Sequence, residues 1–420
     1  MTETLPTEPR LTRLPNGVTV ATIAMPGLET AAIALNVDVG ARHESEAENG
    51  LAHLFEHMVF KGTTQRTARQ IAEEIEDVGG ALNAWTSRDH TVFHARVLAQ
   101  DLGLATDIVT DLFLNPRFDA LDLEKEREVV LSEIGEALDT PDDLVFDLLQ
   151  AIAYPGQALG RSILGTAQSL EGLDSSSLAR WRDRHYRGPG LFVTAAGKID
   201  HDALVAQTES RLGHLPATRD TAHQPARWQG GTLADGRRGE QTHLVLGFEG
   251  PHPGDPRHHA AQIFAFALGG GMSSRLFQEL REERGLAYSV SAAHSTHSDT
   301  GMLSLYCAAR PKDASAALDL SRTVARQTAE TLTMAEFARA RAQLKAGLLM
   351  GLESCTGQAD WLGRALLVHG RIISPAEAIA TLEAVSLEEA RAAGAAMLAS
   401  PPALAAVGPR AEKLADKLAA

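Results

Sequence analysis

The sequence predicts an α+β protein built from two halves in which strands and helices follow the same order. The chain has 420 residues, which is enough for two domains with full hydrophobic cores. Residues 218–239 are rich in Pro, Thr, Gln and Gly, a composition typical of a linker. Similar series of strand-like and helical segments stand before and after this stretch. We therefore expect domains over residues 1–217 and 240–420.

In the first half, β-branched segments flanked by Gly and Pro favour strands over 18–23 and 31–39. Helical patterns follow over 49–60 and 67–78, the second with Thr67 as a candidate N-cap. The remaining predicted elements are a strand over 91–97, two long helices within 100–153, a strand over 192–197 and a helix over 201–212. After the linker we expect strands over 243–248 and 302–307, with helices over 260–268, 274–283, 313–331 and 334–352. The repeat lies in the order of the elements and not in residue identity.

Composition and charge exclude several classes of protein. The net charge of −15 serves solubility and, if part of it lines a cavity, would favour basic or extended peptides. No basic patch supports nucleic-acid binding, and no apolar run of about 18 residues supports a membrane span. Residues 1–9 are polar and acidic, so we expect no signal peptide. Cys307 and Cys355 are far apart, which favours two reduced thiols and a cytoplasmic location.

The most informative stretch is His53-Leu54-Phe55-Glu56-His57, inside the first predicted helix. Residues three and four apart share one helix face, so His53, Glu56 and His57 project together. Two imidazoles in this arrangement can chelate one cation, and the carboxylate can take a proton from a bound water. This is the inverted form of the zinc-protease signature. A chance match is the alternative in a chain with 16 His, but two His and a Glu on a half-buried helix would be costly without a metal or hydrogen bonds.

A hydrolytic zinc site needs a third protein ligand and an open position. Residues 123–136 form an amphipathic helical pattern with five acidic candidates. Glu126 and Glu133 are seven apart and share one face, whereas Glu124, Glu128 and Glu136 lie elsewhere around the helix. Periodicity alone does not choose among the five. By contrast, His90 and His94 fall on a predicted strand, where a spacing of four places them about 13 Å apart, too far to chelate one ion.

The motifs of this chain resemble the insulinase/pitrilysin superfamily of zinc metallopeptidases, closest to the branch of mitochondrial processing peptidase and its bacterial relatives. Besides the pentad, the matching segments are residues 14–18, 79–87, 159–166, 269–276, 279–281 and 285–288. The resemblance implies two homologous α/β-sandwich half-units, each an antiparallel-rich sheet covered by helices. Residues 1–217 would be the zinc-binding catalytic domain, and residues 240–420 a homologous domain without metal.

The resemblance also implies the ligand set. The family motif places its third ligand, a glutamate, 76 positions after the second histidine, and Glu133 has this spacing from His57. His53, His57 and Glu133 would then hold one Zn²⁺ per chain, with Glu56 as the general base. Glu126 matches a second acid of the family, seven residues earlier, and would orient a ligating histidine.

Further residues are assigned by the same resemblance. Arg281 and Tyr288 match a pair that stabilises the reacting carbonyl from the metal-free half. Asn83 and Ala84 match a segment that contacts the substrate, which would add as a strand to a sheet edge. Family members enclose a chamber with four half-units, so we expect a homodimer, with a heterodimer containing a metal-free homologue as the alternative. The glycine loop at 269–271 is short compared with that of the mitochondrial non-catalytic subunit, which disfavours recognition specific to presequences.

The sequence therefore predicts a zinc-dependent endopeptidase that cleaves peptides or unfolded, extended polypeptide segments inside an enclosed chamber. The alternative is a non-catalytic scaffold or peptide-binding subunit of the same superfamily, although such subunits usually have a broken pentad. A protease dedicated to a single substrate is the second alternative.

Overall fold

The computed structural model describes residues 8–219 and 223–419. Within these ranges the strands are β1 (Arg10–Arg13), β2 (Thr19–Ala24), β3 (Thr30–Val37), β4 (Ala81–Thr86), β5 (Thr91–Leu98), β6 (Leu191–Gly197), β7 (Gly231–Asp235), β8 (Thr242–Gly250), β9 (Ala287–Thr296), β10 (Gly301–Ala309) and β11 (Ala403–Val407). The sequence analysis expects no signal peptide on the basis of residues 1–9, of which residues 1–7 lie outside the described ranges.

The described α-helices are α1 (Leu51–Val59), α2 (Ala68–Glu76), α3 (Leu102–Leu114), α4 (Ala120–Asp139), α5 (Pro141–Ala153), α6 (Ala167–Glu171), α7 (Ser175–His185), α8 (His201–Leu212), α9 (His258–Gly269), α10 (Ala314–Thr331), α11 (Met334–Gly351), α12 (Cys355–His369), α13 (Pro375–Ala384), α14 (Leu387–Leu398) and α15 (Ala411–Ala419). A π-helix covers Phe277–Glu283. Short 3-10 turns occur at Ala41–His43, Glu46–Glu48, Ala99–Asp101, Ala158–Gly160 and Gly188–Gly190.

The two sheets repeat one pairing pattern, in agreement with the two α/β half-units predicted from the sequence. The first sheet has the order β1-β2-β6-β3-β5-β4, and the second has the order β7-β11-β8-β10-β9. In the first, β2 and β6 are parallel, while β6–β3, β3–β5 and β5–β4 are antiparallel. In the second, β7 and β11 are parallel, while β11–β8, β8–β10 and β10–β9 are antiparallel. The second half therefore repeats the first, with β4 and β9 as equivalent edge strands.

Each compact unit includes one segment from the opposite half of the sequence. The first unit contains residues 1–134, 162–223 and 350–373, and the second contains 135–161, 224–349 and 374–420. The contiguous ranges 1–217 and 240–420 differ from these units by the exchanged segments. As functional domains those contiguous ranges stay a prediction.

The exchanged segments carry helices that cover the sheets. In the first unit, Cys355, Ala359, Leu362 and Leu366 of α12 pack on a cluster that includes Ile23. In the second unit, α5 packs in the same way, with its buried residues Leu144, Val145, Leu149 and Ala153 against Val245, Met302, Ala403, Ala405 and Val407. Burial of apolar surface on a sheet face stabilises by roughly 25 cal/mol per Å² and does not depend on where the helix stands in the chain.

Several elements differ from the sequence prediction. The two long helices expected within 100–153 are three, α3, α4 and α5. β7 lies inside 218–239, where composition indicated only a linker, because its strand partner β11 is remote in sequence. The helix expected over 274–283 is a π-helix from Phe277 onward. Thr67 does cap α2, since its side chain accepts a hydrogen bond from the Gln70 amide at 3.2 Å.

The helix that carries the pentad is anchored by its apolar faces. Leu51, Leu54, Phe55 and Met58 of α1 are fully buried in the core of the first unit. Each such side chain stabilises the fold by about 1.5–3 kcal/mol on burial. In the described part of the chain, none of the helices combines the length and apolarity that a bilayer span requires. Cys307 and Cys355 are both buried, and neither forms a disulfide.

Candidate metal centre

The N-terminus of α1 is held by a buried carboxylate that the sequence analysis did not single out. Glu44 accepts from the Ala52 amide with Oε1 at 2.7 Å and from the Gly50 amide with Oε2 at 2.9 Å. These amides lack partners inside the helix, and the negative charge of the carboxylate interacts favourably with the positive end of the helix dipole. Gly50 adopts a left-handed conformation with φ of 94°, and a Cβ at this position would lie 2.8 Å from the carbonyl oxygen of Leu164. The hydrogen bonds from Glu44 and the conformation of Gly50 together fix the start of α1.

His53 and His57 lie one turn apart on α1, with ring centroids 4.6 Å apart. Glu133 of α4 faces both rings. Its Oε2 lies 3.8 Å from His53 Nε2, and its Oε1 lies 3.7 Å from His57 Nε2. One ligand atom from each of the three residues falls within 4.8 Å of the others. Across the described ranges, no other three His, Cys, Asp or Glu residues converge in this way. His90 and His94 therefore belong to no such group.

The three residues fit a divalent metal ion. Glu133 Oε2, which faces His53, is buried and has no hydrogen-bond partner among the described residues, and leaving such an atom unpaired is costly. Two imidazole nitrogens and one carboxylate oxygen are the donor set of a catalytic zinc site. Burial, followed by the proximity of His57, lowers the pKa of His53 to about 4. His53 is therefore neutral near pH 7, which is the form that binds a metal.

The five acids of α4 differ in the direction that they face. Glu126 and Glu133 face α1, whereas Glu124, Glu128 and Glu136 are exposed. Because residues seven apart share one helix face, the same rotation of α4 presents both Glu126 and Glu133.

Glu126 fixes the orientation of His57. Its Oε2 lies 3.1 Å from His57 Nδ1, while its Oε1 is 2.6 Å from the ammonium of Lys61. A carboxylate oxygen accepts, so Nδ1 donates the proton, and the lone pair of Nε2 is left facing Glu133. Carboxylate–histidine pairs of this kind set the tautomer and the angle of a metal-binding ring. Lys61 was missed from the sequence, although it stands four positions after His57, about one turn along the chain.

Glu56 lies beside the group but is not one of its three members. Its Oε2 accepts a hydrogen bond from Thr86 Oγ1 at 2.6 Å. Burial raises the pKa of the Glu56 carboxyl and the charge of Glu133 adds to this, whereas the Thr86 hydrogen bond and His57 act in the opposite direction. A carboxylate at the edge of the group can exchange a proton with a molecule bound there. Thr86 lies within the matching segment 79–87 but was not singled out, because a single Thr at a strand end is common.

Asn83 and Ala84 lie on β4, at the edge of the first sheet. β4 pairs only with β5, so its other edge carries no strand among the described residues. Asn83 is exposed, and its Oδ1 accepts from the Ala84 amide at 2.9 Å. Ala84 is buried. An unpaired strand edge can accept an extended chain by backbone hydrogen bonds.

Arg281 and Tyr288 lie together in the second unit. Arg281 belongs to the π-helix, and its Cζ lies 4.6 Å from the ring centroid of Tyr288 on β9. The Phe277 ring lies 4.8 Å from the same Cζ. Tyr288 is 71% exposed, which is unusual for a large aromatic side chain. The two aromatic rings therefore hold a cation at a surface, with the phenol beside it. Phe277 was not predicted from the sequence.

Two protein-family models match this chain. The family model described as insulinase (peptidase family M16) matches residues 19–167. The model described as the peptidase M16 inactive domain matches residues 172–344.

Relatives from several bacteria cover most of the chain. A Rickettsia felis protein named "Uncharacterized zinc protease" is 37% identical over 87% of this chain and 89% of its own length. A Mycobacterium tuberculosis protein with a similar name is 38% identical over 96% of this chain and 94% of its own length. The crystal structure of a peptidase M16 inactive domain from Pseudomonas fluorescens superimposes with a TM-score of 0.89 at 20% identity, covering 96% of this chain and 98% of that one, which concerns the fold alone. The chain belongs to the insulinase family of peptidases, family M16.

Proposed function

We propose that this chain is a zinc-dependent endopeptidase that cleaves peptides or unfolded, extended polypeptide segments inside an enclosed chamber. The observation that carries the proposal is the convergence of His53, His57 and Glu133, with Glu56 beside them. A non-catalytic scaffold would have no need to keep a complete ligand set and a separate carboxylate together in one half-buried place.

Each residue of the centre has a role in peptide hydrolysis. His53, His57 and Glu133 would hold Zn²⁺, with His57 oriented by Glu126. When bound, the ion would polarise a carbonyl and make a water more acidic. Glu56 would accept the proton from the attacking water and deliver it to the leaving amine. The burial that raises the pKa of Glu56 brings this group closer to the range in which it can both accept and donate.

The substrate would bind as an additional strand. Addition to the free edge of β4 pairs with backbone groups and therefore requires an extended chain, whatever its side chains. A folded domain does not offer such a strand, which is why we propose unfolded or flexible substrates. Asn83 and Ala84 lie on the strand that would form these hydrogen bonds.

Arg281 and Tyr288 would stabilise negative charge on the carbonyl oxygen during attack. The Arg281 guanidinium contacts the rings of Phe277 and Tyr288, and these contacts favour one orientation before substrate arrives. We propose that two copies of the chain form a homodimer with four half-units around a chamber. In it, the metal centre of one subunit would face Arg281 and Tyr288 of the other. A heterodimer with a metal-free homologue is the alternative assembly.

The test measures metal, mass and cleavage on the same purified protein. We expect one zinc per chain by elemental analysis and twice the chain mass by light scattering. An unfolded peptide should be cleaved, and cleavage should stop on chelation and return when zinc is added. Glu56→Gln should keep its zinc and lose at least about 100-fold in kcat, the lower range for loss of a general base. A Glu56→Gln variant as active as the wild type would contradict the assigned mechanism, and a metal-loaded wild type that cleaves no peptide would support the scaffold.

A further inference from the structure

The carboxylate of Glu56 has a partner on a different element of the first unit. Thr86, the last residue of β4, donates from Oγ1 to Glu56 Oε2 at 2.6 Å. This length is typical of a charge-assisted hydrogen bond between a hydroxyl and a carboxylate. The same hydroxyl lies 3.5 Å from the carbonyl oxygen of Ala52. Because a hydroxyl has a single proton, the shorter contact to Glu56 is the one that takes it.

The position of Thr86 follows from the alternation of β4. Side chains at positions two apart point to the same face of a strand. Ala84 is buried and Thr86 is half-buried, whereas Asn83, which precedes Ala84, and Trp85, which lies between the two, are exposed. Thr86 therefore shares the covered face with Ala84, and α1 lies against this face.

The chain beyond Thr86 is anchored by backbone hydrogen bonds and an ion pair. The Ser87 amide donates to the carbonyl of His90 at 2.8 Å, which closes the turn between β4 and β5. The Ala41 amide donates to the Ser87 carbonyl at 3.0 Å, and Arg42 forms an ion pair with Asp89 at 2.9 Å. The Arg42 side chain is 1% exposed, so this pair is shielded from solvent. Thr86 therefore has little freedom to follow a displaced Glu56, and it can fix the carboxylate in place.

We propose that Thr86 is a positioning residue that holds the carboxylate of Glu56 in a constant relation to the strand edge on which the substrate lies. This inference rests on the proposed function. A peptide added to β4 takes its register from the β4 backbone, and Thr86 belongs to that backbone. The hydrogen bond therefore keeps the position of the proton acceptor constant relative to that of the scissile carbonyl. Without it, Glu56 would sample other rotamers, and misplacement of a reacting group lowers the rate of the chemical step more than it lowers binding.

The test uses three variants. Thr86→Val keeps the β-branched shape and removes the hydroxyl, and Thr86→Ser keeps the hydroxyl. The matched control is Thr22→Val on β2 of the same sheet, a buried threonine whose hydroxyl lies 2.8 Å from His201 Nδ1. Thr22 is part of no proposed site. For each protein we would measure zinc content, melting temperature, and kcat and KM on one unfolded peptide.

We expect Thr86→Val to retain zinc and to show a KM within about twofold of the wild type, with kcat lower by roughly 10- to 100-fold, the range for losing a hydrogen bond to a charged group. Thr86→Ser should recover most of the rate. Thr22→Val should show an equal or larger drop in melting temperature and a kcat close to that of the wild type.

Two results would overturn the proposal. One is a Thr86→Val enzyme with kcat within twofold of the wild type. The other is a Thr86→Ser enzyme as slow as Thr86→Val, since the hydroxyl would then not be the cause. Failure of the proposed function has a different signature, because wild type and Glu56→Gln would then be equally active or equally inactive. In that case the position of Glu56 would not affect the rate of cleavage, and the proposal for Thr86 would also be wrong.

Discussion

Replacing Glu126 with Gln should weaken zinc binding without unfolding the protein. Glu126 is buried, with its side chain 8% exposed, and it accepts from His57 Nδ1 at 3.1 Å. Gln has nearly the same shape and keeps a carbonyl oxygen that can accept from the ring. The substitution therefore removes the negative charge at nearly constant side-chain volume, and its amide NH2 replaces the oxygen that contacts the Lys61 ammonium.

The magnitude follows from the two partners of the carboxylate. Loss of a carboxylate behind a ligating histidine typically weakens metal binding by roughly 10- to 100-fold, or about 1.4–2.7 kcal/mol. The ion pair with Lys61 adds little to this figure. The Lys61 side chain is 37% exposed, so water compensates its charge once the carboxylate is gone.

The assay is a competition for zinc between the metal-free protein and a coloured chelator at constant pH and ionic strength. The matched control is Glu128→Gln, two positions along the same helix. Glu128 is exposed, so this variant loses the same charge without touching the centre. Its Kd should stay within about twofold of the wild type, because solvent screens an exposed charge. If Glu126→Gln also stays within twofold, or if both variants weaken equally, the orienting role of Glu126 is wrong.

Three further predictions follow from the same unit. Zinc at 100 times its Kd should stabilise the protein against unfolding by about 2.7 kcal/mol, and calorimetry should show a higher melting temperature that reverts on chelation; an unchanged melting temperature would exclude a folded-state site. Glu44→Ala should cost roughly 2–4 kcal/mol of unfolding free energy, since it leaves the buried amides of Gly50 and Ala52 without their acceptor, and should also lower zinc affinity; a denaturant titration that matches the wild type would contradict this. Burial, with smaller effects of His223 and other nearby groups, lowers the pKa of His43 to about 3. As the pH falls, the unfolded state therefore binds a proton at His43 near pH 6.5, whereas the folded state binds it only near pH 3. Stability should therefore be complete above about pH 6.5 and decline as the pH falls toward 3, and His43→Gln should show a shallower decline in melting temperature across this interval.

Local geometry let the sequence predict that the two histidines and Glu56 of the candidate site lie together. The spacing of His53, Glu56 and His57 places them on one stripe because the helix repeat is a property of any α-helix, and α1 extends over these residues. The same reasoning predicted Thr67 as a cap, since a cap depends only on the three residues that follow.

The third member of the group required more than local geometry. Periodicity placed Glu126 and Glu133 on one face of α4 but did not choose among its five acids, and the resemblance to a family singled out Glu133. The structure places Glu133 opposite the two imidazoles because of how α4 packs on the first unit, which helix periodicity does not determine. Glu44, Lys61 and Thr86 were missed for the same reason, since their importance arises from the atoms that they reach and not from their neighbours in the chain.

What the sequence determined by itself was the chemistry of one helical stripe and the location of several strands and helices in each half, because both are set by interactions over a few residues. The tertiary structure decided which acid faces the stripe, which hydroxyl holds Glu56, and that α5 and α12 each cover the sheet of the opposite half. The strand β7 also formed where composition indicated a linker, because its partner β11 is supplied from near the other end of the chain. These outcomes depend on contacts between segments far apart in sequence, and the stability of such contacts comes from buried area and paired polar groups that exist only once the chain has folded.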